Sequence, residues 1–584
     1  MKRTQLAAAV LLATGSVSAL AATYSVTPLP LEDKSRNYFA TSIDNAGKML
    51  ATVESEYNPP VDVEQLEDDT TFFDLYGGSL ENEDDARQGV FTDADYTFIV
   101  SYLISNQSAS VGQKLTSYRT YMTDTNDFDL VPGLDEVTDK FDDYTQSVEA
   151  IGQDSLNGNF IVGDSTGLVI LDEYEDEDGN TINYTYPEST QQAFVQSSNN
   201  TSILTPVDDT LGGFASARAI NSNLQVAGFS TVSFLDTVDD AIEICEDDEL
   251  RGDIPEGRCY YNIYAGDFNV PRISSYFVTN STSFMSSFIL ASEVNATIWQ
   301  IDVNGDIIST DTFPLLFDPD EDSTTHYFTY AYDINNQGIA VGEGLTGDTV
   351  TITRPNSSGL TESERVATVF RDGETVELLP REENLLSQAI AINDNNWVTG
   401  AVLRASSDIA RARLFAYNLD TTEQVYPDGF FTTSAVIANA INNNNIIVGK
   451  ADIEATSDTL RETHAFMYDI ETEEFTDLND LISCDSDYEL VEALDINDDD
   501  EIIANARIKK ASTYITGVEI INSEGETVEV DSIVAVKLTP STGTIEDCDV
   551  EEEDEPYERS GASSSQLGLL LLAGMAFIRR RWFK

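Results

Sequence analysis

Basic residues are scarce in this chain. Against 104 Asp and Glu stand only 31 Lys and Arg in 584 residues, a formal net charge of -73. Six of the basic residues sit at the two ends (Lys2, Arg3, Arg579, Arg580, Arg581, Lys584), with no acid among them, so the body between carries -79. A polyanion of this kind is repelled by nucleic acid and by anionic membrane surfaces, which removes both as partners. Histidine is scarcer still, with His326 and His464 alone, and the four cysteines contain no Cys-x-x-Cys, so structural zinc is excluded. No His-Glu-x-x-His and no phosphate-cradling glycine loop is present. Carboxylates are so abundant that an acid pair carries no signal for glycoside hydrolysis.

Long apolar runs are missing except at the ends. Lys2 and Arg3 precede an apolar stretch from Leu6 to Leu12, and Ala19-Leu20-Ala21 offers a small-x-small cleavage site with Ala19 and Ala21 at its small positions. Residues 1–21 thus read as a secretory signal peptide. At the other end Ser560-Gly561-Ala562 and further serines lead into Leu567–Ile578 and then Arg579-Arg580-Arg581. Twelve helical residues extend roughly 18 Å against roughly 30 Å of bilayer hydrocarbon, a marginal span with its Arg cluster on the cytoplasmic side. The expected organisation is a repeat domain over 22–548, an acidic and small-residue linker over 549–562, and a hydrophobic sorting or anchor helix over 563–584. Localisation follows as exported, to the periplasm, outer surface or exterior, with the precursor held in the inner membrane by the C-terminal helix.

What the chain does have is a phrase repeated seven times. It runs Ala-x-x-Ile-Asn, two or three polar or Gly residues, an apolar pair and usually Gly. The copies centre on Ile43-Asp44-Asn45, Ile151, Ile220-Asn221, Ile334-Asn335, Ile392-Asn393, Ile441-Asn442 and Ile496-Asn497. A unit of this size cannot bury its own apolar face, so the copies must stack. Each reads as two hairpins. A small-residue strand such as Ala438-Asn439-Ala440-Ile441 turns through Asn442-Asn443-Asn444-Asn445 into Ile446-Ile447-Val448-Gly449, and the Asn, Asp and Gly of these turns tolerate positive φ. A third strand carries an aromatic, as in His464-Ala465-Phe466, and Glu474-Phe475-Thr476 makes a fourth. The fold class expected is all-β, a β-propeller of about seven four-stranded blades. A β-sandwich array with the same strand count is the alternative. Successive anchors lie 108, 69, 114, 58, 49 and 55 residues apart. The surplus falls between strands two and three of the first three modules, so long loop insertions are expected together on one face. Tyr24–Leu29 precedes the first copy as a lone fourth strand and is expected to pair with the last module near Val534–Leu538.

His464-Ala465-Phe466 following Ala440-Ile441-Asn442-Asn443 resembles the bacterial extracellular HAF repeat. Together with the signal and the acidic body, it resembles exported bacterial proteins of a family without assigned function. The tail resembles C-terminal sorting signals of the sortase and rhombosortase (Gly-Gly) type, with Ser560-Gly561 at the processing position. The resemblance implies export, a β-repeat fold and a processing protease as partner, and implies no reaction.

Four cysteines in an exported chain suggest disulfides, with Cys245–Cys259 the local pair and Cys484–Cys548 the remainder. Calcium is the candidate cofactor. Asp318, Asp320 and Asp322, and Asp172, Asp176 and Asp178 before Gly179, place oxygens at alternate loop positions. Arg251-Gly252-Asp253 matches an adhesion tripeptide by chance. No catalytic and no cofactor-binding residue is assigned. The expected function is a non-enzymatic, exported binding or scaffold protein whose protein or polysaccharide ligand meets the insertion face. Rival readings are a hydrolase or lyase acting on an extracellular polymer, and a structural surface component.

Overall fold

In the computed structural model the chain forms two compact units, Met1–Ile545 and Glu546–Lys584. The described residues are 23–543, apart from 69–71, 190, 198–199, 266–286, 321–325, 353–359, 405–410 and 456–460. The expected signal and cleavage positions Ala19 and Ala21, Asp322, Cys548, the acidic linker, Ser560 and Gly561 and the C-terminal helix lie outside them. No helix among the described residues is long and apolar enough to cross a membrane.

Strands hold 48% of the residues and helices 14%, so the protein is mostly β, built from small antiparallel sheets. Seven sets of four strands follow one another. Their first strands are Asn37–Ile43, Ala150–Leu156, Ala215–Ile220, Thr329–Ile334, Asn384–Ile392, Val436–Ile441 and Glu489–Ile496. In the first six sets the four strands pair in sequence order, and one parallel bridge, Arg119 to Ala150, joins the first set to the second. The seventh has only three strands of its own. Its fourth is Thr23–Pro28 from the other end of the chain, pairing with Glu529–Ser541 in the register Val26 to Leu538 and Pro28 to Val536.

The repeated phrase has a geometric cause. All seven first strands carry a β-bulge at one equivalent position: Ala40/Ser42, Gly152/Asp154, Ala217/Ala219, Ala331/Asp333, Ala389/Ala391, Ala438/Ala440 and Ala493/Asp495. The bulge pushes a first-strand carbonyl towards the second strand, and the residue facing it is Gly in five sets. A Cβ on Gly342 would lie 1.8 Å from the carbonyl oxygen of Tyr330, and Gly163, Gly228, Gly400 and Gly449 are hemmed in alike. The bulges also correct the second copy. They align Asp154-Ser155 with Asp333-Ile334, so the anchor there is Ser155, and Ile151 sits four residues earlier, opposite Asp164. A serine in the apolar slot hid the phrase, while Ile151 supplied a false match within the same strand.

The residue after each anchor closes the turn. Asn393 Oδ1 accepts from the backbone N–H groups of Asn395 and Trp397, at 3.1 and 3.0 Å. Its Nδ2 donates to the carbonyl of Asn442 in the next set, at 2.8 Å. The same link runs from Asn221 to Asn335, Asn335 to Asn393, Asn442 to Asn497 and Asn497 to Asp44. A second row lies beside it. The backbone N–H groups of Ser222, Asn336, Asp394, Asn443 and Asp498 donate to the side-chain oxygens of Asn336, Asp394, Asn443, Asp498 and Asn45.

The apolar core lies between successive sets. Third-strand aromatics Phe194, Trp299, Phe370, Phe415 and Phe466 are fully buried. Complete burial of such a ring contributes roughly 1.5–3 kcal/mol. Clusters join the first and second, second and third, third and fourth, fourth and fifth, and fifth and sixth sets, and one cluster joins the sixth, seventh and first.

Asn393→Asp keeps both Oδ1 contacts within its own turn and removes the donor to Asn442. We expect the urea midpoint to fall by an amount equivalent to about 1–3 kcal/mol, because the Nδ2 bonds to the Asn442 carbonyl and to Asn445 Oδ1 are lost and a carboxylate faces both oxygens. An unchanged midpoint would show that the inter-turn row carries no stability.

Candidate functional site

Antiparallel pairing places the Asn turns at one end of each set and the connection from second to third strand at the other. Four sets carry long insertions at that second position. Residues 55–117 hold the helices Val63–Asp68, Phe72–Tyr76, Glu83–Ala86 and Asp93–Ser105, the last capped by Thr92 Oγ1 accepting from Asp95 N–H. Residues 167–190 hold the hairpin Val169–Glu175 with Thr181–Pro187. Residues 235–291 hold the helices Asp236–Glu246 and Glu256–Ala265, joined by the Cys245–Cys259 disulfide. Residues 512–528 of the seventh set are the fourth insertion, which chain spacing did not reveal.

These insertions are tied to one another in series. Ile515 N–H donates to Thr97 Oγ1 at 2.9 Å, and Thr516 Oγ1 donates to Asp93 at 2.7 Å, linking the seventh insertion to the first. Thr185 N–H reaches the Ser110 carbonyl at 2.9 Å, and its hydroxyl the Gly112 carbonyl at 2.7 Å, linking the first to the second. Tyr174 Oη and Glu177 N–H donate to the two oxygens of Asp253, at 3.0 and 2.9 Å, linking the second to the third. The Arg251-Gly252-Asp253 tripeptide is therefore used internally. Arg251 donates to the carbonyls of Cys245 and Ile254, and Asp253 receives the hairpin. On the first insertion buried Phe72 supports two rings that face outward, Tyr76 and Phe98, with centroids 6.1 Å apart.

At the opposite end, a cavity of about 320 Å³ is lined by the turn-proximal residues of all seven first strands. It is polar. Asp154, Asp333 and Asp495 stand at the bulge, and burial pushes their carboxyls up to about 6, 7 and 7. Each spans two sets, accepting from the backbone N–H of its own neighbour and from Ile220, Ile392 or Ile43 of the next, at 2.7–2.8 Å. Arg218 is the only cationic side chain in the lining, and its guanidinium lies 3.9 Å from Asp164. Behind it, Glu343 accepts from the Tyr332 hydroxyl at 2.9 Å and pairs with Arg365 at 3.5 Å. Burial raises the Glu343 carboxyl. Sequence reasoning missed Asp164, Arg218, Tyr332, Glu343 and Arg365, because they are scattered over five strands with no spacing in common.

The described residues singled out from sequence for calcium have the following surroundings. Asp172 accepts from Tyr186 Oη at 2.7 Å, and Asp176 spends both oxygens on Asn180 in the hairpin turn. Asp178, Asp318 and Asp320 are exposed. Among the described residues no group of three His, Cys, Asp or Glu is placed to hold a metal ion. The Cys484–Cys548 pairing lies outside the described residues because Cys548 does. One further string has the letters of a serine nucleophile elbow, Gly163-Asp164-Ser165-Thr166-Gly167. Its Ser165 lies within the strand Phe160–Thr166, paired on both sides, donates to the Thr166 carbonyl and accepts from Leu134 N–H. The sharp strand-to-helix turn that exposes such a nucleophile is absent there.

The two histidines have opposite surroundings. His326 is buried, with Nδ1 2.7 Å from the Ser292 carbonyl, and burial holds its pKa down at about 4. His464 Nδ1 lies 2.6 Å from Asp477, whose hydrogen bond raises the imidazole above its ordinary range. His326 therefore costs stability as pH falls from about 6.5 towards 4, where the unfolded chain alone takes up the proton. His464 contributes stability below about 6.5 that is lost as pH rises through its raised midpoint. With two histidines in the chain, an imidazole NMR titration should show one resonance moving near pH 4 and one above 6.5, and Asp477→Asn should move only the second, downwards. Two midpoints near 6.5 would refute both environments.

Among solved structures, similarity extends to the Pyrococcus horikoshii acylaminoacyl peptidase, at 10% identity and a TM-score of 0.32, over 81% of this chain and 50% of that one. A Mycobacterium tuberculosis puromycin-hydrolyzing peptidase matches at 9% identity and a TM-score of 0.23, over 83% of this chain and 61% of that one. This chain thus spans between half and two thirds of their lengths, and at such TM-scores the likeness carries no argument. No curated protein matches it. The model of the family described as "Protein of unknown function (DUF3466)" matches residues 1–581, and this chain belongs to that family.

Proposed function

We propose that the seven sets are the blades of a β-propeller and that the protein is an exported, non-enzymatic scaffold of the cell envelope which binds a partner through its insertion face. The observation that carries this reading is the serial locking of the seventh, first, second and third insertions through Thr97, Thr185 and Asp253. Loops raised on a rigid β framework and fixed to each other form a preorganised surface, and preorganisation lowers the entropic cost of binding. The signal-like N-terminus supports export, and the apolar C-terminal segment with its Arg cluster supports retention of the precursor at the inner membrane before a protease acts near Ser560-Gly561.

A hydrolase or lyase working in the polar cavity is the second reading, favoured by the three raised aspartates. Their oxygens, however, already accept backbone N–H groups across the seams, which is a structural use. A photo-crosslinking amino acid placed in cells at Leu75 or Leu250, both exposed on insertions, should capture an envelope component. The same group at Val303, exposed on a turn at the Asn-turn end, should capture nothing. Adducts from Val303 alone, or from none of the three, would overturn the assignment of the binding face.

A further inference from the structure

The first insertion presents an apolar centre inside an acidic frame. Leu75, Tyr76 and Phe98 are 68%, 38% and 37% exposed, the two rings side by side over buried Phe72. An exposed ring pair with an exposed leucine beside it in sequence, in a chain of such high net negative charge, marks a contact surface. Residues 55–117 contain 13 Asp and Glu against Arg87 and Lys114, a net charge of -11. Both cations are already engaged. Arg87 pairs with Glu83 and Glu67 and lies over the Phe73 ring, and Lys114 donates to backbone carbonyls. The exposed carboxylates of Asp74, Glu81 and Asp84, close in sequence to the patch, make no ion pair among the described residues.

We propose that the Leu75–Tyr76–Phe98 surface is a docking site for a cationic amphipathic segment of a partner protein. The claim rests on the reading of the insertion face as a binding surface and names the chemistry of its partner. The argument is complementarity. Aromatic and aliphatic side chains of the partner fill the centre, and its Lys and Arg meet carboxylates that have no cation among the described residues. Such charges act mainly on encounter rate and orientation, while the apolar anchors supply the residence time. Anionic lipid and nucleic acid fail the same comparison on charge.

A chain carrying this much negative charge attracts any polycation, so the test separates anchoring from bulk attraction. The full-length chain is titrated at 150 mM salt with an 18-residue Leu/Lys helical peptide and with a Gly/Lys peptide of equal charge. Leu75→Asp and the double variant Tyr76→Ser/Phe98→Ser are compared with the parent. Leu75 is mostly solvent-exposed, so its variant keeps the fold even if the double variant does not. The expected result is a loss of roughly tenfold or more in affinity for the Leu/Lys peptide and no change for the Gly/Lys peptide. Equal affinity of parent and variants for the Leu/Lys peptide overturns the proposal. So does a soluble dextran whose binding is lost in the variants while the peptide's is kept, which would make the patch a sugar platform. Crosslinking from Leu250 is independent of this patch, so failure here leaves the broader reading standing on its own test.

Discussion

The structure depends on the hydrogen bonds that pass from one Asn turn to the next. A four-stranded set is too small to bury its own apolar faces, and the aromatic of each third strand must be covered by the neighbouring set. Apolar packing alone is non-directional and would tolerate sliding of one set on another. The turn residue after each anchor removes that freedom. As an amide it accepts two backbone N–H groups in its own turn and still has Nδ2 to offer the next set. Aspartate has no such donor. It appears at this position only once, as Asp44, and there its second oxygen instead accepts Gly158 N–H at 2.5 Å. The change of residue coincides with the change in the direction of the bond.

Much of this was legible in the sequence, since the turn, the bulge and the close strand contact each restrict residue type. The Asn that opens the turn and the Gly facing the bulge recur because few other residues fit, and this is what the repeated phrase records. Thr23–Pro28 was recognisable as a strand lacking its set. The second copy was misread by four residues because its anchor is Ser155, and a composition pattern cannot see a bulge whose anchor is polar. The contacts among insertions were illegible for a different reason. Thr97, Thr185 and Asp253 obey no period, and their partners are set by the path of each loop. The buried Glu343–Tyr332–Arg365 cluster was hidden likewise.

The two ends of the molecule divide the acidic residues between two uses. Around the cavity, aspartates stand at positions where a carboxyl can bridge the backbone of adjoining sets, and burial raises their pKa. That is the cost of placing charge in a crowded, water-poor region, offset by two backbone N–H contacts each. On the insertion face most carboxylates of the described residues are exposed and outside ion pairs, so they project a field into solvent. One composition thus serves fastening at one end and an exposed acidic surface at the other.

The seam between the second and third sets shows how the two ends depend on each other. Leu156 stands where other sets place Asn or Asp, so the second turn offers no side-chain amide to the third, and among the described residues no turn-to-turn bond joins Asn157 to Ser222. The seam is held instead higher up. Asp154 reaches Ile220 N–H, and Asp164 reaches Ala217 N–H at 3.2 Å while facing Arg218. Above both, the hairpin of the second insertion grips Asp253 of the third through Tyr174 and Glu177. Where the Asn row is interrupted, the insertion face supplies the lateral bond. The insertions are therefore part of what fixes the neighbouring sets, and the surface they build is bonded into the framework that carries it.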